Sequence, residues 1–226
     1  MIESPAAGEA LVQGTPEWKE MRLGKITASR FADVLTRPRS KADRLRGDLS
    51  ATAQSYLLDL VAEHLTGEEQ GPPTTWAMQW GIDCEPAAKE VYAELTGQEV
   101  QEVGFLAHPE EPMIGGSPDG LVGEKGGLEI KCSANTRIHL GYMLEGILPT
   151  QYAAQVQGLL WLTGRQWWDF VSYDPRIKGP GSLPLALWRL RVERDGDYIE
   201  TLAAAVFAFR DKLLETLLKL KMGAIE

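Results

Sequence analysis

Cysteine and histidine are scarce in this chain of 226 residues, which has two of the former, Cys84 and Cys132, and three scattered copies of the latter. A disulfide framework is therefore unsupported, and a four-cysteine zinc or iron–sulfur site cannot be built within one chain. Any metal the protein uses has to be a hard ion held by oxygen. Long apolar runs are missing as well. The longest, Leu183 to Trp188 and Leu202 to Phe209, fall far short of the roughly 20 residues needed to cross a bilayer. Met1-Ile2-Glu3-Ser4-Pro5 has no basic segment leading into an apolar run, so the reading is a soluble, cytoplasmic protein without a membrane partner. Positive charge is in deficit too. Lys and Arg number 23 against 32 Asp and Glu, a net charge of −9, which argues against a uniformly basic coat for nucleic acid. The glycines from Gly115 to Gly127 lack the Gly-x4-Gly-Lys-Ser/Thr order of a phosphate-binding loop.

What is present reads as one globular domain over residues 1–226, with 1–14 a loose tail: 44% of residues are hydrophobic and 24% charged, an ordinary globular balance. Thr15-Pro16 caps a short helix through Arg22, and Gly24 stops it. Thr27-Ala28-Ser29 opens a second helix through Phe31, Val34 and Leu35, which Arg37-Pro38 ends. Arg37, Arg39, Lys41, Arg44 and Arg46, against Asp43 alone, then form a basic loop. Helical spacing predicts helices over Ser50 to Leu65 and Thr75 to Thr96, the latter with Trp76, Trp80, Cys84, Ala88, Val91 and Leu95 on one stripe and Glu85 at its edge. Glycine-punctuated strands follow at Val100 to Leu106, Met113 to Gly115, Gly120 to Val122 and Leu128 to Cys132. After helices at Thr136 to Leu144 and Pro149 to Leu162 come strands at Trp167 to Ser172 and Leu185 to Val192, then a helix from about Asp197 to Met222. This order fits an α/β fold with a central mixed β-sheet flanked by helices.

Chemistry concentrates between residues 116 and 132. Asp119 tips the turn Gly116-Ser117-Pro118-Asp119-Gly120, and Glu129 and Lys131 alternate on a strand, so they share a face opposite Leu128, Ile130 and Cys132. Two carboxylates and a lysine on one face are costly unless a cation neutralises the acids. Mg²⁺ would do so, and Mn²⁺ accepts the same ligands. Lys131 would then orient or deprotonate an attacking water and stabilise a phosphate transition state. Taken singly, Glu129 and Lys131 could be a surface pair and Pro-Asp-Gly a plain turn. Together, Asp-x9-Glu-x-Lys after Ser-Pro matches the signature of restriction-endonuclease-like nucleases. Trp161, Trp167 and Trp168 suggest base stacking, but their apolar flanks favour the core.

The match runs further. Trp18 to Ser29, Trp80-Gly81 with Glu85, Ser117 to Leu121, Leu128 to Cys132, Ala154-Gln155-Val156-Gln157 and Tyr173-Asp174-Pro175-Arg176 together make the chain resemble the phage lambda exonuclease family of viral recombination nucleases. That resemblance implies a restriction-endonuclease-like fold, with Asp119, Glu129 and the Ile130 carbonyl on one metal ion, Glu85 on a second, and Lys131 serving the water. It implies a pocket of Arg22, Ser29 and Gln157 for a 5′-terminal phosphate, where the residues alone read as a helix-end salt bridge for Arg22 and a cap for Ser29. It further implies 5′-to-3′ digestion of double-stranded DNA to mononucleotides, a homotrimeric ring, a single-strand annealing partner and a phage or prophage origin. A ring would let an acidic exterior coexist with a channel lined by Arg37 to Arg46. Met78 would be a wedge between terminal base pairs, or else a core methionine. The segment from Pro38 to Ser50 and the helix end Lys219 to Gly223 depart from the family pattern. The alternatives are an endonuclease of the same fold and a catalytically silent DNA-end-binding protein.

Overall fold

The computed structural model describes residues 12–71, 73–179, 181 and 183–223. Helix α1 (Pro16–Arg22) starts where the Thr15 hydroxyl accepts the Trp18 N–H and proline occupies the first turn, since proline has no N–H to leave unpaired there. Most of the predicted loose tail lies outside the described residues. Its last part is not loose, because the Gln13 amide donates to the carbonyls of Val103 at 3.0 Å and Pro118 at 2.7 Å.

The helix expected to open at Thr27-Ala28-Ser29 forms, with Thr27 at its N-terminal cap, and a strand that the sequence pattern did not predict precedes it. Ile26–Thr27 forms a two-residue strand, β1, and only then do a 3-10 turn (Ala28–Arg30) and α2 (Phe31–Val34) follow. The basic stretch is a loop only at Arg37 and Arg39; beyond them Ser40 caps α3 (Lys41–Arg46) and Gly47 ends it in the left-handed conformation, a Ser-to-Gly bracket. Helices α4 (Ala51–Thr66) and α5 (Trp76–Thr96) are capped by Ser50 and Thr75 and closed by Gly67 and Gly97. The stripe predicted for α5 is corrected, because Trp76 and Leu95 are 70% and 43% exposed while Cys84, Ala88 and Tyr92 are buried.

The predicted strand from Val100 to Leu106 is two strands in two sheets, β2 (Val100–Gln101) and β3 (Leu106–Ala107). They are followed by β4 (Ile114–Gly116), β5 (Gly120–Val122), β6 (Gly126–Lys131), α6 (Thr136–Glu145), α7 (Thr150–Thr163), β7 (Trp167–Tyr173), α8 (Leu183–Ala186), β8 (Leu187–Glu193) and α9 (Gly196–Gly223). The larger sheet runs β2-β5-β6-β7-β8 and a smaller one β1-β4-β3. Strands β6 and β7 are parallel, joined through α6 and α7, while the other neighbours in the larger sheet are antiparallel.

One apolar cluster packs α2, α4, α7 and α9 with Trp168 and Phe170. A second packs Cys84, Ala88 and Tyr92 of α5 against Leu128, Ile130, Cys132 and Val171. The sheet is thus covered on both faces, as the sequence predicted. Trp161 packs against the first cluster and Trp168 is fully buried, so neither offers a stacking platform. Gly126 and Gly127 lie beside Trp167 and Trp168 in register, where any Cβ would collide with the indole rings.

Candidate active site

The turn that carries Asp119 leaves β4 at Gly116, where a Cβ would stand 2.8 Å from Leu159 and 2.9 Å from Ala28. Its next residue ties it to α1: the Ser117 hydroxyl accepts from Trp18 Nε1 and from Arg22 Nη1, each at 3.0 Å. Gly120 pairs with Leu128 across β5 and β6, and extending that register by one residue sets Asp119 opposite Glu129. The Asp119 carboxylate accepts the Ile130 N–H at 2.5 Å. Ile130 puts its side chain into the core on the other face, so only its main chain serves the cluster.

Glu129 is 1% exposed and lies 2.5 Å from the Lys131 ammonium, as period-two alternation requires. Gln155 donates to Glu129 Oε1 at 2.7 Å, and the Tyr152 ring stands 5.0 Å from Lys131 Nζ. Glu129 Oε2, by contrast, is buried without a hydrogen-bond partner among the described residues. Burial, then the charges of Glu129 and Glu85, hold the Asp119 carboxyl well above the usual range. Burial also raises Glu129, against the pull of Lys131. Burial alone would lower Lys131, but the charges of Glu129 and Asp119 outweigh it and raise it.

An unsatisfied carboxylate oxygen beside a second carboxylate is an arrangement that a hard cation would relieve. Asp119 and Glu129 fit such an ion. Glu85 stands apart: its charge reaches both acids, but its Oε1 is held 2.9 Å from Lys89 Nζ. Among the described residues no three His, Cys, Asp or Glu side chains gather closely enough to hold a metal.

Of the three residues expected around a terminal phosphate, Arg22 is half-buried with its guanidinium 4.4 Å from the Trp18 ring, and Ser29 is exposed beside Thr27. Gln157 is a correction. Its amide donates to Glu193 O at 2.9 Å and accepts from Asp195 N at 3.0 Å, which commits it to the turn between β8 and α9. Gln155, two residues earlier and on another side of α7, is the glutamine in the cluster. Helical phase was the available signal, because Tyr152 and Gln155 are three apart and share a face whereas Gln157 does not.

Within the basic segment, Arg46 pairs with Asp43 and Asp48, and Arg44 donates to the carbonyls of Pro38 and Arg39. Arg37, Arg39 and Lys41 are exposed and form no ion pair among the described residues. Met78 is 50% exposed, which removes the core reading for it. Cys84 and Cys132 are buried free thiols whose pKa values burial raises, the opposite of an activated nucleophile.

The fold and the carboxylate–lysine cluster define a restriction-endonuclease-like domain of the nuclease class. Within it, the chain belongs to the family of the YqaJ-like viral recombinase domain, whose model matches residues 17–166. It is similar to the alkaline exonuclease LHK-Exo from Laribacter hongkongensis, with 39% identity, a TM-score of 0.82, and coverage of 93% of this chain and 98% of that one. The complex of LHK-Exo with dAMP superposes with a TM-score of 0.81 at the same identity and coverage. A phage-related exonuclease from Haemophilus somnus 129PT shares the fold at 20% identity and a TM-score of 0.64, covering 87% of this chain and 96% of that one. The Escherichia coli (strain K12) protein ExoD is 34% identical over 70 residues, 31% of this chain and 75% of that protein. No helix among the described residues is long and apolar enough to cross a membrane.

Proposed function

We propose that this protein is a divalent-metal-dependent exonuclease that degrades one strand of double-stranded DNA from a 5′-phosphorylated end, releasing mononucleotides and leaving a 3′ overhang. The observation that carries the reading is Glu129 Oε2, buried without a partner among the described residues, beside Asp119 and with Lys131 on the same face. Asp119, Glu129 and the Ile130 carbonyl would hold one ion and Glu85 a second, Mg²⁺ by preference with Mn²⁺ substituting. A metal bound there would lower the pKa of a water and draw charge off a phosphate oxygen. Lys131 supplies a fixed positive charge beside the attacked phosphate, where charge develops in the transition state. Gln155 would steady Glu129 through its hydrogen bond, and the Tyr152 ring would steady the Lys131 ammonium that lies over it.

Arg22 and Ser29 would receive the 5′-phosphate, with Gln155 in the place first given to Gln157. Met78 would meet the terminal base pairs, and Arg37, Arg39 and Lys41 would meet the backbone ahead of the cut, since they are exposed and free of ion pairs among the described residues. The dAMP complex of a 39% identical relative supports a mononucleotide product. Leu140, Leu144 and Ile147 at the end of α6 are 43%, 88% and 61% exposed. Such an apolar surface supports association with further copies of the chain, for which a trimeric ring is the reading, and an annealing protein would take the overhang.

The test is digestion of linear duplex labelled at the 5′ or 3′ end, with and without 5′-phosphate and Mg²⁺, beside a covalently closed circle. Metal-dependent release of 5′ label as mononucleotide from linear DNA alone is the expected result. Nicking of the circle would replace the reading with an endonuclease, and absence of cleavage with a DNA-end-binding protein.

A further inference from the structure

Lys89 lies one helical turn beyond Glu85 on α5. Its ammonium is 2.9 Å from Glu85 Oε1 and 3.2 Å from Glu102 Oε1, and its side chain is 17% exposed against 70% for Glu102. A glutamate and a lysine four residues apart on a helix are usually a solvent-washed pair that contributes little. This pair differs in two ways. Its lysine is largely withdrawn from water, and it is held from the far side by a residue just past β2. Two carboxylates within 3.2 Å hold the Lys89 ammonium between them.

Its place in the site follows. Asp119 and Glu129 face Lys131, whereas Glu85 has a counter-ion of its own, and the three acids do not gather. We infer that Lys89 is a positioning residue that serves as the resident counter-ion of Glu85, and so sets the affinity of this chain for the second divalent ion. This rests on the two-ion reading given above. An ion arriving at Glu85 meets a carboxylate already neutralised, and it must share Oε1 with the ammonium or displace it. Glu102, at the exposed end of the bridge, gives the displaced ammonium a place to stay. The stronger its hold, the more readily Lys89 releases Glu85.

The two flanking residues therefore have opposite effects. Removing the charge of Lys89 tightens the second ion, while removing the charge of Glu102 leaves the ammonium to Glu85 alone and weakens it. Between an ammonium and a divalent ion about 4 Å apart, Coulomb repulsion even at the dielectric constant of bulk water corresponds to a change of roughly thirtyfold in affinity.

The experiment is a Mn²⁺ titration of the metal-free protein without DNA, following free Mn²⁺ by electron paramagnetic resonance. It compares the parent chain with Lys89→Gln, Glu102→Gln, Glu85→Gln and the Glu85→Gln/Lys89→Gln pair. The inference expects two ions on the parent and one on Glu85→Gln. It expects tighter binding of the weaker ion in Lys89→Gln, weaker binding in Glu102→Gln, and no gain from Lys89→Gln once Glu85 is gone. Glu102→Gln, at an exposed position, keeps the comparison decisive if Lys89→Gln misfolds. A weaker ion left unchanged by Lys89→Gln or Glu102→Gln, or a gain that persists without Glu85, would overturn the role of Lys89 while leaving two ions in place. A parent chain that binds fewer than two ions would overturn the two-ion reading and this inference with it.

Discussion

Glu129 and Lys131 show how far single residues can be read from a sequence. Period-two alternation on β6 is enough to place them on one face, and the tight turn at Asp119 is enough to bring a second acid opposite. The structure adds the distances, 2.5 Å from Lys131 to Glu129 and 2.5 Å from the Ile130 N–H to Asp119. Replacing Lys131 removes a cation whose charge reaches both acids, so Lys131→Ala should lose cleavage by at least roughly a hundredfold, the scale of losing one preorganised transition-state donor. DNA and metal binding should persist, as an electrophoretic shift and a metal titration would show. Retention of the parental cleavage rate would sink the assignment.

The two glutamines of α7 were not separable by motif, because Gln155 and Gln157 are both part of it and only helical phase tells them apart. Gln155→Ala should lower kcat with little change in melting temperature. Gln157→Ala should instead cost about 1–3 kcal/mol of stability, since it strands the Glu193 carbonyl and the Asp195 N–H. Urea unfolding and steady-state kinetics on the two variants check this, and the opposite pattern would restore Gln157 to the site.

At the scale of elements, caps and glycine stops made the helices legible, while the strands blurred wherever they were short. Ile26–Thr27 is two residues long and exists by pairing with Ile114 and Gly115, a long-range fact with no local pattern. Val100 to Leu106 looks like one strand but divides between sheets, and α3 was hidden by its charge although Ser40 and Gly47 bracket it. The register of α5, which carries Glu85 and Lys89, is set seven residues on from Glu85 by Tyr92. Its hydroxyl donates at 2.7 Å to the fully buried Asp169, which also accepts from Arg189 and Arg191. Tyr92→Phe should therefore cost about 1.5–3 kcal/mol, as for a lost hydrogen bond to a charged group, and should lower cleavage although Tyr92 touches nothing in the site. Thermal unfolding beside kinetics tests both, and unchanged values in both would free α5 from this anchor.

The junction after β7 offers a pH test. Burial would raise the Asp174 carboxyl, but hydrogen bonds from Arg176 and Thr136 prevail and hold it at about 2 against the ordinary 3.8. Arg176 also donates to the carbonyls of Ser133 and Ala134, just beyond Lys131. A depressed pKa gives stability that is full above the unfolded value and is lost as pH falls from about 4 toward 2. Asp174→Asn should flatten that part of the acid limb of the melting-temperature profile, and a profile parallel to the parent's would remove Asp174 as its source.

For the whole molecule, the net charge of −9 looked at odds with a DNA substrate until its distribution was considered. The segment from Arg37 to Arg46 resolves into two functional groups. Arg44 and Arg46 serve their own helix and its flanks, while Arg37, Arg39 and Lys41 face solvent without ion pairs among the described residues. Only the latter can displace counter-ions from a phosphate backbone without first breaking a contact within the protein. Each phosphate neutralised adds roughly 0.9 to the slope of log affinity against log salt for duplex DNA. The triple substitution of Arg37, Arg39 and Lys41 by glutamine should thus reduce that slope by about 2–3 and weaken binding equally for all sequences, whereas Arg46→Gln should change it little. Fluorescence anisotropy on duplexes of two unrelated sequences across a salt series reads both quantities. An unchanged slope in the triple variant would mean that the duplex does not pass over α3, and the DNA path would have to be sought on another face.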